Sequence, residues 1–100
     1  MIYLTVLIFV KKGKEDVFNT YESSVLPILN DYDGILIYRI KPTESSFINA
    51  KEEKPFEIHF ISFKSDEGFT GFLNDDKRKG FEHLKGDSIT STFIVKGKKL

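Results

Sequence analysis

Glu57 and His59 stand two residues apart in "KPFEIHFISF" (residues 54–63), a run otherwise rich in phenylalanine and isoleucine. Side chains alternate across a strand, so this spacing puts both on one face. A carboxylate beside an imidazole in an enclosed place holds the ring's tautomer and raises its pKa, the arrangement of a general base or proton shuttle. A polar pair that only satisfies its own hydrogen bonds in a packed seam has the same spacing. Arg39, in "ILIYRI" (35–40), is the third candidate. If the two strands form an antiparallel hairpin, one register sets Arg39 opposite Glu57, and the next sets Tyr38 opposite His59. Ile61 and Phe63 share the face of the polar pair, while Phe56, Ile58 and Phe60 take the other. A purely apolar face suits core packing, and a mixed one suits a cavity or a dimer seam.

Positioning these residues falls to a regular series of elements. "IYLTVLIFV" (2–10) is β-branched and aromatic on both faces, which marks a central strand covered on each side. From Glu15 to Tyr32, apolar residues recur at three and four: Val17, Phe18, Tyr21, Val25, Ile28, Leu29 and Tyr32. This predicts an amphipathic helix kinked at Pro27, with Ser23 and Ser24 near the freed carbonyl and Gly34 as its left-handed cap. Strands follow at 35–40 and 56–63, separated by a polar loop between Pro42 and Pro55. Ser65 is the N-cap of a helix through Phe69, Phe72 and Leu73, and Asp75 caps a second helical piece carrying Phe81 and Leu84. The last strand starts at Ser88, and "KGKK" (96–99) reads as a frayed tail.

The order is β-α-β-β-α-β, the ferredoxin-like split motif of the α+β class, with a four-stranded antiparallel sheet and helices on one face. The crossovers are expected to set the first and third strands side by side and parallel in the middle. The uncovered sheet face exceeds the apolar patch a soluble monomer tolerates, so a homodimer through that face is expected.

Composition narrows the chemistry. One hundred residues suit a single domain spanning 1–100. The formal charge is zero, which removes the broad basic field that non-specific nucleic-acid binding requires, so no nucleic-acid partner is expected. With no cysteine there is no disulfide, thiolate metal site or cysteine nucleophile, and with two histidines a zinc site needs several carboxylates as well. No metal and no cofactor is expected. The opening apolar run lacks the charge order of a signal peptide and the roughly 20 residues of a membrane span, so a cytoplasmic protein without membrane contact is expected. "NDDKRKG" (74–80) mixes acids with its bases and reads as a capped, solvated helix turn rather than a phosphate site.

"LPILNDYDGILIYR" and "PFEIHFISFKSDEGFTGFLNDDKRKGFEHLKGDSI" together resemble the dimeric α/β-barrel superfamily, in particular its domain-of-unknown-function 1330 type. The second stretch is similar to a pattern of Pro-x-Glu-aliphatic-His, then Phe-x-Ser before a helix, then Asp followed by Arg. The resemblance implies a dimeric α/β barrel, and it carries over Glu57, His59 and Arg39, with Asp76 and Arg78 as ligand-binding positions. The superfamily includes cofactor-independent monooxygenases, haem-degrading enzymes, isomerases and members without known activity. The tryptophan of the haem-degrading branch is missing here, and His83 sits in a highly charged segment, which speaks against haem. Three functions follow as expectations. The chain binds a small apolar or aromatic metabolite between sheet and helices, in a pocket of about 300 Å³ or more that Tyr21 and Tyr38 help to line. Alternatively it is a monooxygenase or isomerase-like enzyme using His59, Glu57 and Arg39, or a non-enzymatic dimerisation module with a filled core.

Overall fold

The computed structural model describes residues 1–100. Strand β1 (Ile2–Val10) leads into helix α1 (Glu15–Val25) and a 3₁₀ segment (Leu26–Tyr32), followed by β2 (Gly34–Ile40). After a loop with a 3₁₀ turn (Glu44–Ser46) come β3 (Glu57–Phe63), α2 (Asp66–Leu73), α3 (Asp76–Lys79), α4 (Glu82–Ser88) and β4 (Ile89–Gly97). This is the α+β, ferredoxin-like fold.

The expected kink at Pro27 is a change of helix type. Pro27 removes a backbone donor, and the chain tightens from α to 3₁₀ at Leu26. Ser24 does not serve the freed carbonyl; its hydroxyl donates one turn back to the Thr20 carbonyl at 3.0 Å. The left-handed residue is Asp33, with φ of 56°, and not Gly34. Aspartate tolerates that conformation. Gly34 meets a different demand, since a Cβ there lies 2.7 Å from the Phe63 ring. Ser65 and Asp75 are N-caps, accepting from the N–H groups of Gly68 and Arg78 at 3.4 and 2.9 Å. The single piece expected after Asp75 is two: α3 stops at Lys79, and Phe81 precedes α4, which carries Leu84. The Tyr32 hydroxyl donates to Asp75 at 2.5 Å and ties the 3₁₀ segment to the start of α3.

The sheet order is β2-β3-β1-β4, and every pair is antiparallel. The expectation of parallel β1 and β3 is corrected. The α1 crossover carries the chain past one strand position, so β2 runs parallel to β1, and the hairpin return puts β3 in the gap running the other way. The presumed tail is partly strand: Gly97 pairs with Tyr3, and Lys96 forms an ion pair with Asp66.

The helices cover the face formed by Leu4, Val6 and Ile8 of β1 and by Ile61 and Phe63 of β3. Phe18, Tyr21, Val25, Ile28, Leu29 and Phe72 pack onto it, with Phe18 and Phe63 essentially sealed from solvent. The mixed face of β3, which carries Glu57 and His59, is therefore the covered one. Its purely apolar face is open. There Tyr3, Phe60 and Tyr38 stack across three strands, with ring centroids 5.7 and 6.1 Å apart. Ile35, Tyr38, Ile40, Phe93 and Val95 on the same side are 46 to 62% exposed. No helix is long and apolar enough to cross a membrane.

Candidate functional site

β3 delivers Glu57 and His59 to the helix side at adjacent same-face positions, both 3% exposed. Arg39 reaches them by neither expected register. A bulge between Leu36 and Tyr38 slips β2 against β3, so Arg39 lies opposite His59, and Tyr38 lies opposite Phe60 on the open face. From there Arg39 Nε donates diagonally to Glu57 Oε2 at 2.8 Å. The same oxygen lies 2.5 Å from His59 Nε2. Burial pushes the Glu57 carboxyl up, but hydrogen bonds from His59 and Arg39 outweigh it and hold the group below its ordinary value. Glu57 is thus the ionised acceptor, and His59 Nε2 carries the proton between them.

A fourth member comes from α1. Glu22 is 4% exposed, and its Oε2 stands 3.9 Å from His59 Nε2. No protein group hydrogen-bonds its carboxyl, and burial raises the pKa to about 7 against the partial pull of His59 and Arg39. The sequence held a signal for it: Glu22 falls four residues after Phe18 and three before Val25, a charge on the apolar stripe of α1.

Glu22 and His59 line a cavity of about 170 Å³ between the sheet and the helices, smaller than expected, with 13 of its 18 lining residues hydrophobic. Leu4, Val6 and Ile8 form its floor, and Val25, Phe69 and Phe72 form part of its wall. Tyr21 and Arg78 also line it. Burial raises the Tyr21 pKa. Arg78 lies over the Phe72 ring at 5.1 Å and donates through Nη1 to the Leu73 carbonyl at 3.3 Å. Glu22 and Leu26 also border a surface groove that holds Arg39. The cluster therefore stands between the cavity and solvent.

Of the seven expected site residues, His59, Glu57 and Arg39 come together, and Tyr21 and Arg78 line the adjoining cavity. Tyr38 faces away, 60% exposed, because the bulge turns it to the open side. Asp76 is exposed in the first turn of α3 and lines no part of the cavity. His83 is exposed on α4, also outside the lining. Chemically, the buried cluster can exchange a proton with a molecule in the cavity. Its two carboxylates and one imidazole nitrogen can also serve as cation donors.

No family model and no curated protein matches the sequence. Solved structures do match its fold. A protein of unknown function from Rhodopseudomonas palustris superposes with a TM-score of 0.82 at 11% identity, over 99% of this chain and 82% of that one. A putative antibiotic biosynthesis monooxygenase from Nitrosomonas europaea gives 0.74 at 11% identity, over 100% and 99%. A dimeric protein of unknown function with a ferredoxin-like fold from Bacteroides fragilis gives 0.68 at 10% identity, over 98% and 95%. At these identities the chain is similar to them in its fold alone.

Proposed function

We propose that this protein binds a small, mostly apolar molecule carrying one hydroxyl-type group in the cavity between its sheet and helices, and that it does so as a homodimer joined through the open sheet face. The observation behind this reading is an apolar cavity with an unpartnered carboxyl, Glu22, in its wall. A cavity of roughly 150 Å³ is known to hold benzene in another protein, so one substituted ring is the size class. A hydroxyl on that ring supplies the partner that Glu22 lacks. The cavity counts against a filled-core dimerisation module. The fold shared with a dimeric neighbour, and the resemblance to the domain-of-unknown-function 1330 type, support the dimer.

Methyl NMR of Leu4, Val6 and Ile8 tests the binding. Titration with phenol or benzyl alcohol is expected to give saturable shifts that weaken when Leu73, at 38% exposure a tolerant part of the lining, becomes Trp. Folded protein without saturable shifts at millimolar ligand overturns the reading.

A second reading as an isomerase or cofactor-independent monooxygenase has one supporting observation: Glu22, with a pKa of about 7, stands beside His59. Either chemistry needs a proton moved at a bound carbon or oxygen. Deuterium incorporation into a bound enolisable ketone, lost in Glu22→Gln, is the expected sign. A bound ketone without exchange rules it out.

A further inference from the structure

We propose that Glu22, Glu57 and His59 form a binding site for a first-row divalent cation, with an open coordination position facing the cavity. This goes beyond the ligand-binding reading and does not depend on it. One ligand atom from each residue lies within 4.8 Å of the others, and all three residues are buried. An imidazole and two carboxylates on two elements supply the several oxygen donors that a histidine-poor chain needs.

A second observation points to an occupant. Glu22 is 4% exposed, borders the cavity, and receives no hydrogen bond from the protein. A buried carboxyl in that condition calls for a water or an ion. Arg39 and His59 both hydrogen-bond Glu57 Oε2, and neither hydrogen-bonds Glu22.

The geometry needs only side-chain movement. Ligand bonds of about 2.0–2.2 Å set neighbouring donors roughly 3 Å or more apart. The 2.5 Å contact between His59 Nε2 and Glu57 must therefore open, while Glu22, 3.9 Å from Nε2, moves inward on a flexible side chain. Nε2 must present its lone pair to the ion, so the neutral ring with its one proton on Nδ1 is the binding form, and any further proton leaves to solvent as the ion binds. Arg39 stays on Glu57 as the outer hydrogen bond that orients a ligating carboxylate. The surface groove bordered by Glu22, Leu26 and Arg39 offers a route inward. Mixed imidazole and oxygen donors without sulfur favour Mn²⁺, Fe²⁺, Co²⁺ or Zn²⁺ over Cu⁺, and the imidazole disfavours Ca²⁺.

Co²⁺ is the probe, added at pH 8 to the full chain after EDTA stripping, with no organic ligand present. One equivalent is expected to give a saturable visible absorption that Zn²⁺ displaces. Glu22→Gln is expected to lower the affinity by about tenfold or more while leaving the protein folded, because no internal hydrogen bond is lost. His83→Gln is expected to change nothing. No saturable spectrum up to about millimolar Co²⁺, or unchanged affinity in Glu22→Gln, overturns the site. The phenol titration on metal-free protein reads the cavity separately, so either proposal can fail alone.

Discussion

At the level of single residues, Glu22 sets the pH response. Folded protein holds the Glu22 proton to about pH 7, whereas the ordinary carboxyl releases it near 4.5, because burial outweighs the attraction of His59, Arg39 and Arg78, and Glu57 adds repulsion. Between those values the folded state binds more protons than the unfolded one, so stability falls as pH rises through the window and is flat above it. The loss is at most about 3 kcal/mol. Glu22→Gln is expected to match wild type near pH 4.5 and to exceed it at pH 8, in urea melts with EDTA at one protein concentration. Parallel pH profiles sink this assignment. Glu57 acts in a lower window: its lowered pKa gives stability that is present above the ordinary carboxyl range and lost as pH falls through the folded value. Glu57→Gln is expected to cost about 2 kcal/mol at pH 7, since it weakens buried bonds to His59 and Arg39. Arg39→Ala is expected to cost under about 1 kcal/mol, because its side chain is 39% exposed. The two-residue spacing made Glu57 and His59 legible as a pair. It did not show that the pair faces the helices, because the apolar face of β3 is equally fit for a core. Glu22 was not legible as a site residue, because the residues around it, Phe18, Tyr21 and Val25, specify the stripe without it.

At the level of elements, two glycines in neighbouring helices should respond to the same change with opposite sign. Gly68 in α2 sits against the 3₁₀ segment, and a Cβ there falls 2.6 Å from the Tyr32 carbonyl oxygen, a backbone atom that cannot swing aside. Gly68→Ala gains about 1 kcal/mol of helix propensity. It loses about 1 to 3 kcal/mol as α2 lifts from its seat. The expected net is destabilisation. Gly86 in α4 has nothing within 4 Å of the added atom, so Gly86→Ala is expected to stabilise by up to about 1 kcal/mol. Chemical denaturation of the two variants beside wild type decides it, and stabilisation by Gly68→Ala contradicts the packing. These contacts also show what the sequence could tell. Periodicity found β1 and β3 nearly to the residue and the start of α1, whose expected end at Tyr32 overruns the α-helix by the whole 3₁₀ segment, and Ser65 and Asp75 announced the starts of α2 and α3. The bulge after Leu36 carries no glycine or proline to mark it, so the β2–β3 register, and with it the partner of Arg39, was not legible. The β1–β3 direction is implicit in the element order, since a crossover that skips a strand fixes that pair as antiparallel, and the expectation of a parallel pair overlooks that skip.

Across the whole molecule, the sheet is lopsided: its helix side is covered over β1 and β3, and its other side is an aromatic ladder open to solvent. Tyr3, Phe60 and Tyr38 fill the middle, and Ile35, Ile40, Phe93 and Val95 extend the surface toward both edges. A second copy turned about a two-fold axis presents the same ladder, and a self-complementary apolar patch is the kind of surface that closes into a dimer. Val95 is the position at which to break it. It stands on edge strand β4, is 61% exposed and is absent from the core cluster, so a lysine there costs the single chain little. Across a dimer seam the same lysine places an unpaired charge against aromatic rings. Sedimentation equilibrium is expected to give twice the chain mass for wild type and one chain mass for Val95→Lys. Its unfolding midpoint is then expected to be independent of protein concentration, whereas that of wild type rises with concentration. A monomeric wild type, or a Val95→Lys protein that stays dimeric, places the seam elsewhere and leaves the ladder without this role.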